Sequence, residues 1–282
     1  MIKYLNVAGI NIKFEYNYND FFKDKIDAYV VDEFSDDFFE IKVSLKDNIE
    51  VPEKKITLRY KNRLKMQDGL ENYIVTMKPE GVKHLIYYTS DFKNIEIILN
   101  TNNKEKLAEL EYVFSGMMFF EVAINSNCLP VHASAINYDD QTFLLLGPSK
   151  SGKSTHTDNF LRLFPSSIII NEDKPVLFEK NNTIYVAGSP WSGKNVINEN
   201  ISLPVDFLFF LNQEKSINMK ELDDKSKILS LLKNCHRPGE VDSITNTTNI
   251  LNRVIEKLDI YQFDNIDSIE SVKFLYNFMT NR

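Results

Sequence analysis

One segment constrains this chain more than any other: residues 144–155, LLLGPSKSGKST, where Gly147 and Gly152 flank four residues and Lys153 and Ser154 follow. That pattern predicts a loop wrapped around an anion. The two glycines let the backbone fold so that several N–H groups point inward as a concave nest. A helix beginning at the loop brings the positive end of its dipole to the same place. Lys153 can then reach the outer phosphates of a nucleotide, and the Ser154 hydroxyl is placed to ligate Mg²⁺. On average residue frequencies the pattern arises by chance in about one chain in a hundred of this length. Its setting narrows the choice further. Residues 142–146, Thr-Phe-Leu-Leu-Leu, read as a buried strand. Phe160, Leu161, Leu163 and Phe164 give the next segment an apolar face, and Pro165 stops it. A Gly/Ser turn between core elements is the plainer alternative, but it does not explain strand, loop and helix in this order. The expected binding set is Gly147, Pro148, Ser149, Lys150, Ser151, Gly152, Lys153, Ser154 and Thr155, with ATP and Mg²⁺ as cofactors.

Eighteen residues past Ser154 stand Glu172 and Asp173, within INEDKPVLF. Residues 166–170 read as a strand, so the pair sits at its C-terminal end, where α/β sheets present ligand groups. One carboxylate of such a pair can hold Mg²⁺ and the other can take a proton from an attacking hydroxyl. The other reading is a solvated turn, since Asn-Glu-Asp-Lys-Pro is also turn chemistry. Upstream, VHASAINYDDQTFLLLG predicts a hairpin turning at residues 137–140, its first strand carrying His132. On that strand His132 is either a core histidine or an active-site group. Downstream, GSPWSGK holds the lone Trp of the chain, Trp191, and a basic residue, Lys194. Lys194 is either a clamp on developing phosphate charge or a surface lysine. Trp191 either stacks on a substrate or fills the core.

These four pieces, in this order, resemble the HPr serine kinase/phosphorylase family and its phosphoenolpyruvate carboxykinase-like fold, over roughly residues 110–215. The sequence is most similar to the HPr-kinase-like proteins of peptide-maturation systems, such as lasso-peptide kinases, which carry a similar Pro-Trp-Ser-Gly-Lys loop. The resemblance implies that Lys153 and Ser154 hold phosphates and metal and that Asp173 deprotonates a substrate hydroxyl. Glu172 then supports the metal, and His132 lies near the transferred group. The catalytic candidates are thus Asp173, Lys153, His132 and Lys194, and the metal candidates Ser154, Glu172 and Asp173. Two departures matter. The acidic pair of the HPr kinases is Asp-Asp, and here it is Glu172-Asp173. Their Arg-Gly-x-Gly signature is absent, with GSPWSGK in its place, which points to an acceptor other than HPr. The implied activity is ATP·Mg²⁺-dependent transfer of the γ-phosphoryl group to a hydroxyl, Ser foremost, of a peptide or small protein. The alternatives are a small-molecule kinase on the same core and a non-catalytic ATP-binding partner of a peptide-maturation complex. A carboxykinase would need arginines clustered near the loop, and few stand there.

Before residue 100 the pattern changes to period two. Phe39, Ile41, Val43 and Leu45 alternate with polar residues, as do Ile56, Leu58 and Tyr60, which predicts an antiparallel, meander-like sheet with one wet face. Residues 73–77, 84–89 and 95–99 continue it. The polar stretch 100–104 is the expected boundary, giving an N-terminal β-rich region over 1–103 and a nucleotide-binding domain over 104–282. The fold class is therefore α/β (α+β), a P-loop core behind an antiparallel β-rich region. Helices are expected from 107 to 125 and over 226–233, 243–258 and 268–279.

With 33 Lys+Arg against 40 Asp+Glu and a net charge of −7, broad sequence-independent nucleic-acid binding is not expected. The most apolar windows, 112–120 and 203–211, fall short of the ~20 residues a spanning helix needs, so no membrane association is expected. Two cysteines, Cys128 and Cys235, suit a reducing compartment, and the N-terminal stretch lacks a signal-peptide pattern, so the cytoplasm is the expected address. Neither Cys128 with His132 nor Cys235 with His236 has finger-type zinc spacing. Arg237 is either a second phosphate contact or a surface residue, and Arg253 is expected on the wet side of its helix. A homo-oligomer stays open.

Overall fold

The strands β1 (Ile2–Val7), β2 (Ile10–Glu15), β3 (Phe39–Lys46), β4 (Lys55–Tyr60), β5 (Arg63–Asp68), β6 (Glu71–Lys78), β7 (Gly81–Thr89) and β8 (Asn94–Asn100) form one sheet. Their order is β1-β2-β3-β8-β7-β6-β5-β4. This computed structural model describes the chain except Phe34, residues 103–105, 149–150 and 194–196, and the side chain of Val241. From β4 to β8 the sheet is the expected antiparallel meander. β3 departs from it, pairing parallel to both β2 and β8. Helix α1 (Asn19–Ile26) lies in the connection that makes the first of these parallel pairs.

The alternation in β4 does not mark a dry face. Ile56, Leu58 and Tyr60 are 43, 59 and 61 % exposed, and the pairing register with β5 shifts between Ile56 and Leu58. An edge strand has no neighbour on its far side, and a bulge turns its side chains away from the shared core.

Helix α2 (Leu107–Asn125) belongs with this sheet. The chain divides into two units, Met1–Ser126 and Asn127–Arg282, so the division falls after α2 rather than at the expected 103/104. The reason is Glu111, fully buried on α2. Its carboxylate accepts the Asn17 N–H (2.8 Å), the Asn17 side-chain amide (3.0 Å) and the Tyr18 N–H (3.1 Å), groups that would otherwise be left open at the start of α1. Phe114 adds a ring contact to His84 of β7 at 4.2 Å between centroids.

The second unit is mixed α/β with two sheets. Six strands pair in the order β12-β10-β11-β16-β18-β17, namely β12 (Ile168–Asn171), β10 (Ala133–Tyr138), β11 (Gln141–Leu146), β16 (Phe207–Gln213), β18 (Asp259–Asn265) and β17 (Asn218–Glu221). β16 runs parallel to both β11 and β18. Four short strands form the other sheet, β15-β14-β13-β9: β15 (Ser202–Pro204), β14 (Thr183–Ala187), β13 (Val176–Lys180) and β9 (Cys128–Pro130). The apolar run of β11 is buried on both sides. Leu144 and Leu146 face one core with the four-stranded sheet and the helices α4 (Asp224–Asn234) and α5 (Val241–Lys257). Phe143 and Leu145 face another with α3 (Lys153–Leu163) and α6 (Ile269–Thr280). These four helices and α2 lie within a few residues of the expected spans. The β10–β11 hairpin turns at Asp139 and Asp140, both at positive φ, as a two-residue type I′ turn requires. No described helix is long and apolar enough to cross a membrane.

Candidate functional site

Two crossings between the sheets of the second unit build the site. β9 leaves the four-stranded sheet at Pro130 and β10 enters the six-stranded one at Ala133, with Val131 and His132 between them. Alongside, β12 ends at Asn171 and β13 begins at Val176, with Glu172, Asp173, Lys174 and Pro175 between them. The crossings are bonded together: Val131 N–H donates to the Pro175 carbonyl (3.0 Å) and Ala133 N–H to that of Asp173 (3.2 Å). His132 is thus a connector rather than a strand residue, and its side chain is 31 % exposed.

Asn171, fully buried, shapes the second crossing. Its Oδ1 accepts the N–H groups of Asp173 (2.9 Å) and Lys174 (2.7 Å), an Asx-type turn that sets the direction of both side chains. Its Nδ2 donates to the Ser189 carbonyl (2.9 Å), and the Ser189 hydroxyl donates to that of Lys174 (2.7 Å). These bonds fasten the 188–193 loop over the crossing. Gly193 has φ +85°, and a Cβ there would stand 2.8 Å from Asp173 Oδ2, so only glycine brings the loop this close to the carboxylate. Trp191 is buried and anchors the loop in the interior, which removes it as an open stacking surface.

The segment between β11 and α3 lies against this corner. Gly147, at φ +154°, is packed so closely that a Cβ would stand 2.5 Å from Ser151 Oγ and 3.1 Å from the Leu211 carbonyl oxygen, so the position takes only glycine. The Ser151 hydroxyl is buried with no hydrogen-bond partner among the described residues. The Lys153 side chain turns back across the loop. Its Nζ donates to the Gly147 carbonyl (2.7 Å) and that of Pro148 (3.3 Å), and lies 3.1 Å from His132 Nε2. His132 Nδ1 in turn lies 2.8 Å from Asp173 Oδ1. A proton on Nδ1 directed at Asp173 leaves Nε2 to accept from Lys153, and one tautomer satisfies both ends. Lys174 Nζ stands 3.2 Å from the same Nδ1.

The charges compete. Burial pushes Lys153 down to about 8, Asp173 pulls it up, and Lys174 lowers it further. Lys174 is also lowered by burial against the pull of Asp173. Burial alone would raise Asp173. The hydrogen bond from His132 and the positive charges of Lys174, His132 and Lys153 overcome it, so its carboxyl lies below the usual range. The corner therefore holds an ionised carboxylate, an imidazole bonded to it, and two lysine amines whose pKa values burial has lowered. Such a group can orient and deprotonate a hydroxyl while the amines face an anion.

Of the residues expected from sequence, the structure brings Lys153, His132 and Asp173 together. Glu172 is half-buried, its carbonyl accepting from the Ser134 hydroxyl (3.1 Å), and Ser154 and Thr155 are exposed on the first turn of α3. Ser149, Lys150 and Lys194 lie outside the described residues. Arg237 is exposed, on a segment tied to the first crossing by His132 N–H to the Asn234 carbonyl (2.6 Å) and His236 N–H to that of Pro130 (2.9 Å). Arg253, expected on the wet side of its helix, keeps about a third of its side chain exposed, and its Nε pairs with Glu179 Oε2 on β13 at 3.5 Å. Among the described residues no three of His, Cys, Asp and Glu converge on one point as a metal cage. Lys174, Asn171 and Ser189 were not singled out from sequence. The Asn-x-Asp spacing at 171–173 is an Asx-turn signal that points to the first two.

No family model matches the chain, and no curated protein does. Among solved structures it is similar to that of the Hpr(Ser) kinase/phosphatase from Coxiella burnetii, with 11 % identity over 54 % of this chain and 97 % of that one, and a TM-score of 0.33. At that score the likeness fixes neither the fold nor the activity.

Proposed function

We propose that the second unit is an ATP·Mg²⁺-dependent phosphotransferase that moves a γ-phosphoryl group to a hydroxyl, Ser foremost, of a peptide or small protein. One observation carries the reading: Asp173 is joined through His132 to Lys153, the lysine of a glycine-flanked loop that opens a helix. A phosphate-binding lysine and a carboxylate base held close together are among the parts phosphoryl transfer asks of a protein.

The residues suit a polyphosphate. The loop offers the unpartnered Ser151 hydroxyl and the N-terminal end of α3. Lys153 exchanges its bonds to the Gly147 and Pro148 carbonyls for phosphate oxygens, which favour its charged form. Among the described residues no protein cage for a metal converges here, and none would be needed, because Mg²⁺ is usually bound through one or two protein carboxylates together with substrate phosphates. Ser154, Glu172 and Asp173 are the residues that would supply them. When bound, the ion neutralises charge on the phosphates. Asp173 keeps its carboxylate ionised and takes the hydroxyl proton. His132 holds that carboxylate in place, and the 188–193 loop covers it.

The test is label transfer from γ-labelled ATP with Mg²⁺ into size-fractionated lysate, with wild type, Lys153→Ala and Asp173→Asn compared. Label entering a peptide or protein band with wild type alone is the expected result. Label in a metabolite fraction instead would reassign the acceptor to a small molecule. Equal labelling by all three proteins, or tight ATP binding with no transfer to any fraction, would sink the reading.

A further inference from the structure

The first unit carries a surface that the phosphotransferase reading does not use. From Lys54 to Lys65 the chain holds six basic residues, Lys54, Lys55, Arg59, Lys61, Arg63 and Lys65, and no acidic one, in a protein of net charge −7. These residues form the β4–β5 hairpin, and β4 is the last strand of the eight-stranded sheet. All six residues of β4 are exposed, including Ile56, Leu58 and Tyr60. Lys54 is bound to Asp68 at 2.5 Å and Lys61 lies over the Tyr60 ring at 5.3 Å. Among the described residues, no ion pair engages Lys55, Arg59, Lys61 or Arg63. Antiparallel pairing alternates, so on the side away from β5 every second residue of β4 turns its N–H and C=O to open space.

We propose that β4 is a docking edge for an acidic, extended segment of a partner protein, which adds to the sheet as a further strand. Two features choose this occupant. The open backbone groups pair with any extended chain, and the apolar side chains of Ile56, Leu58 and Tyr60 give it something to cover. The charge then selects. Two β4 edges brought together set Lys and Arg against Lys and Arg, which disfavours a second copy of this chain. A strand rich in Asp and Glu meets unpaired cations instead. This surface acts whether or not the second unit transfers phosphate.

The test uses the full chain and a fluorescein-labelled synthetic peptide of about ten residues alternating Glu with Val. A saturable rise in anisotropy is expected with this peptide and none with its Lys-Val counterpart. The pair Arg59→Glu and Arg63→Glu should weaken binding by at least about tenfold with an unchanged far-UV spectrum and melting temperature. A second arm needs no protein variant. The same Glu-Val peptide N-methylated along its central residues keeps its charge but cannot pair, and it should not bind. Equal binding of the methylated peptide would reduce the site to charge alone and overturn the strand proposal. So would binding confined to oligo(dT) or to phosphatidylserine vesicles, or no binding of the Glu-Val peptide at all.

Discussion

Glu111 in the first unit and Asp173 in the second are both carboxylates taken partly or wholly from water, and they are held in opposite ways. Glu111 is closed off completely and bonded to three neutral N–H donors of Asn17 and Tyr18, with no ion pair to it among the described residues and the N-terminal ammonium only the least of the influences on its charge. Asp173 keeps about a third of its side chain exposed and is bonded to an imidazole flanked by two amines. Amide donors, backbone or side-chain, do not titrate, so the Glu111 arrangement can only position α2 against α1. Imidazole and amine partners can give up or take protons, so the Asp173 arrangement can respond to an arriving ligand. A buried carboxylate serves the fold when its partners are fixed and serves chemistry when they are exchangeable and one side stays open.

The strongest way to break this contrast is to remove the charge from each. Asp173→Asn should lower phosphoryl transfer by about 10²–10⁴-fold, the usual contribution of general-base help, while leaving nucleotide affinity within a few-fold. Single-turnover transfer measured beside ATP titration separates the two effects. Parallel loss of binding and transfer would recast Asp173 as a fold residue like Glu111. Glu111→Gln should do the reverse. It sets an amide NH₂ against donors that need an acceptor, costing about 1–3 kcal/mol of stability in urea unfolding. Transfer per folded molecule should not change.

The same contrast explains what the sequence could reveal. The β11–loop–α3 run was legible because strand, glycine spacing and helix lie within one continuous stretch. The Asp139-Asp140 turn, the late helices and the acidic pair were legible for the same reason. What was not legible depends on partners far along the chain. Glu111 meets Asn17 across 94 residues, so a helix whose local pattern is plain gave no sign of which unit it joins. His132 read as a strand residue because periodicity shows extended backbone but not that the chain is passing between two sheets. Lys174, followed by Pro175, looked like turn chemistry, and only the bonds of Asn171 turn it toward His132. Ile56, Leu58 and Tyr60 alternate like core residues, yet their strand closes the sheet at its edge.

Lys153 sharpens the comparison from the side of the exchangeable partner. Its ammonium is held down to about 8 by burial, so below that pH it is charged in the free protein and above it the amine is neutral. A bound polyphosphate favours the charged form and raises its pKa. ATP affinity should therefore be flat below about pH 8 and fall by about tenfold per pH unit above it, with proton uptake on binding. Calorimetry in buffers of different ionisation enthalpy measures both. An affinity unchanged between about pH 8 and 9.5 would mean that Lys153 does not meet the phosphates.

The smallest effect is a difference of sign on the acid side. Asp173 has a lowered pKa, so it contributes stability above the ordinary carboxylate range, and that stability is lost as pH falls through the lowered value. Glu111 is raised by burial against its hydrogen bonds, so the folded protein holds its proton more firmly than the unfolded chain. Its contribution therefore falls as pH rises from the ordinary range through the raised value. On acidification from neutral pH, Glu111 should gain stability first and Asp173 should lose it later. Urea midpoints taken against pH test this, with Trp191 fluorescence reporting the second unit, because the lone Trp sits in the loop bonded to the Asp173 crossing. Asp173→Asn should flatten the acid loss seen by Trp191, and Glu111→Gln should erase the earlier gain seen by far-UV circular dichroism. If both substitutions moved the profile in the same direction, the two carboxylates would be held by the same physics, and the division between a fold residue and a chemical one would fail.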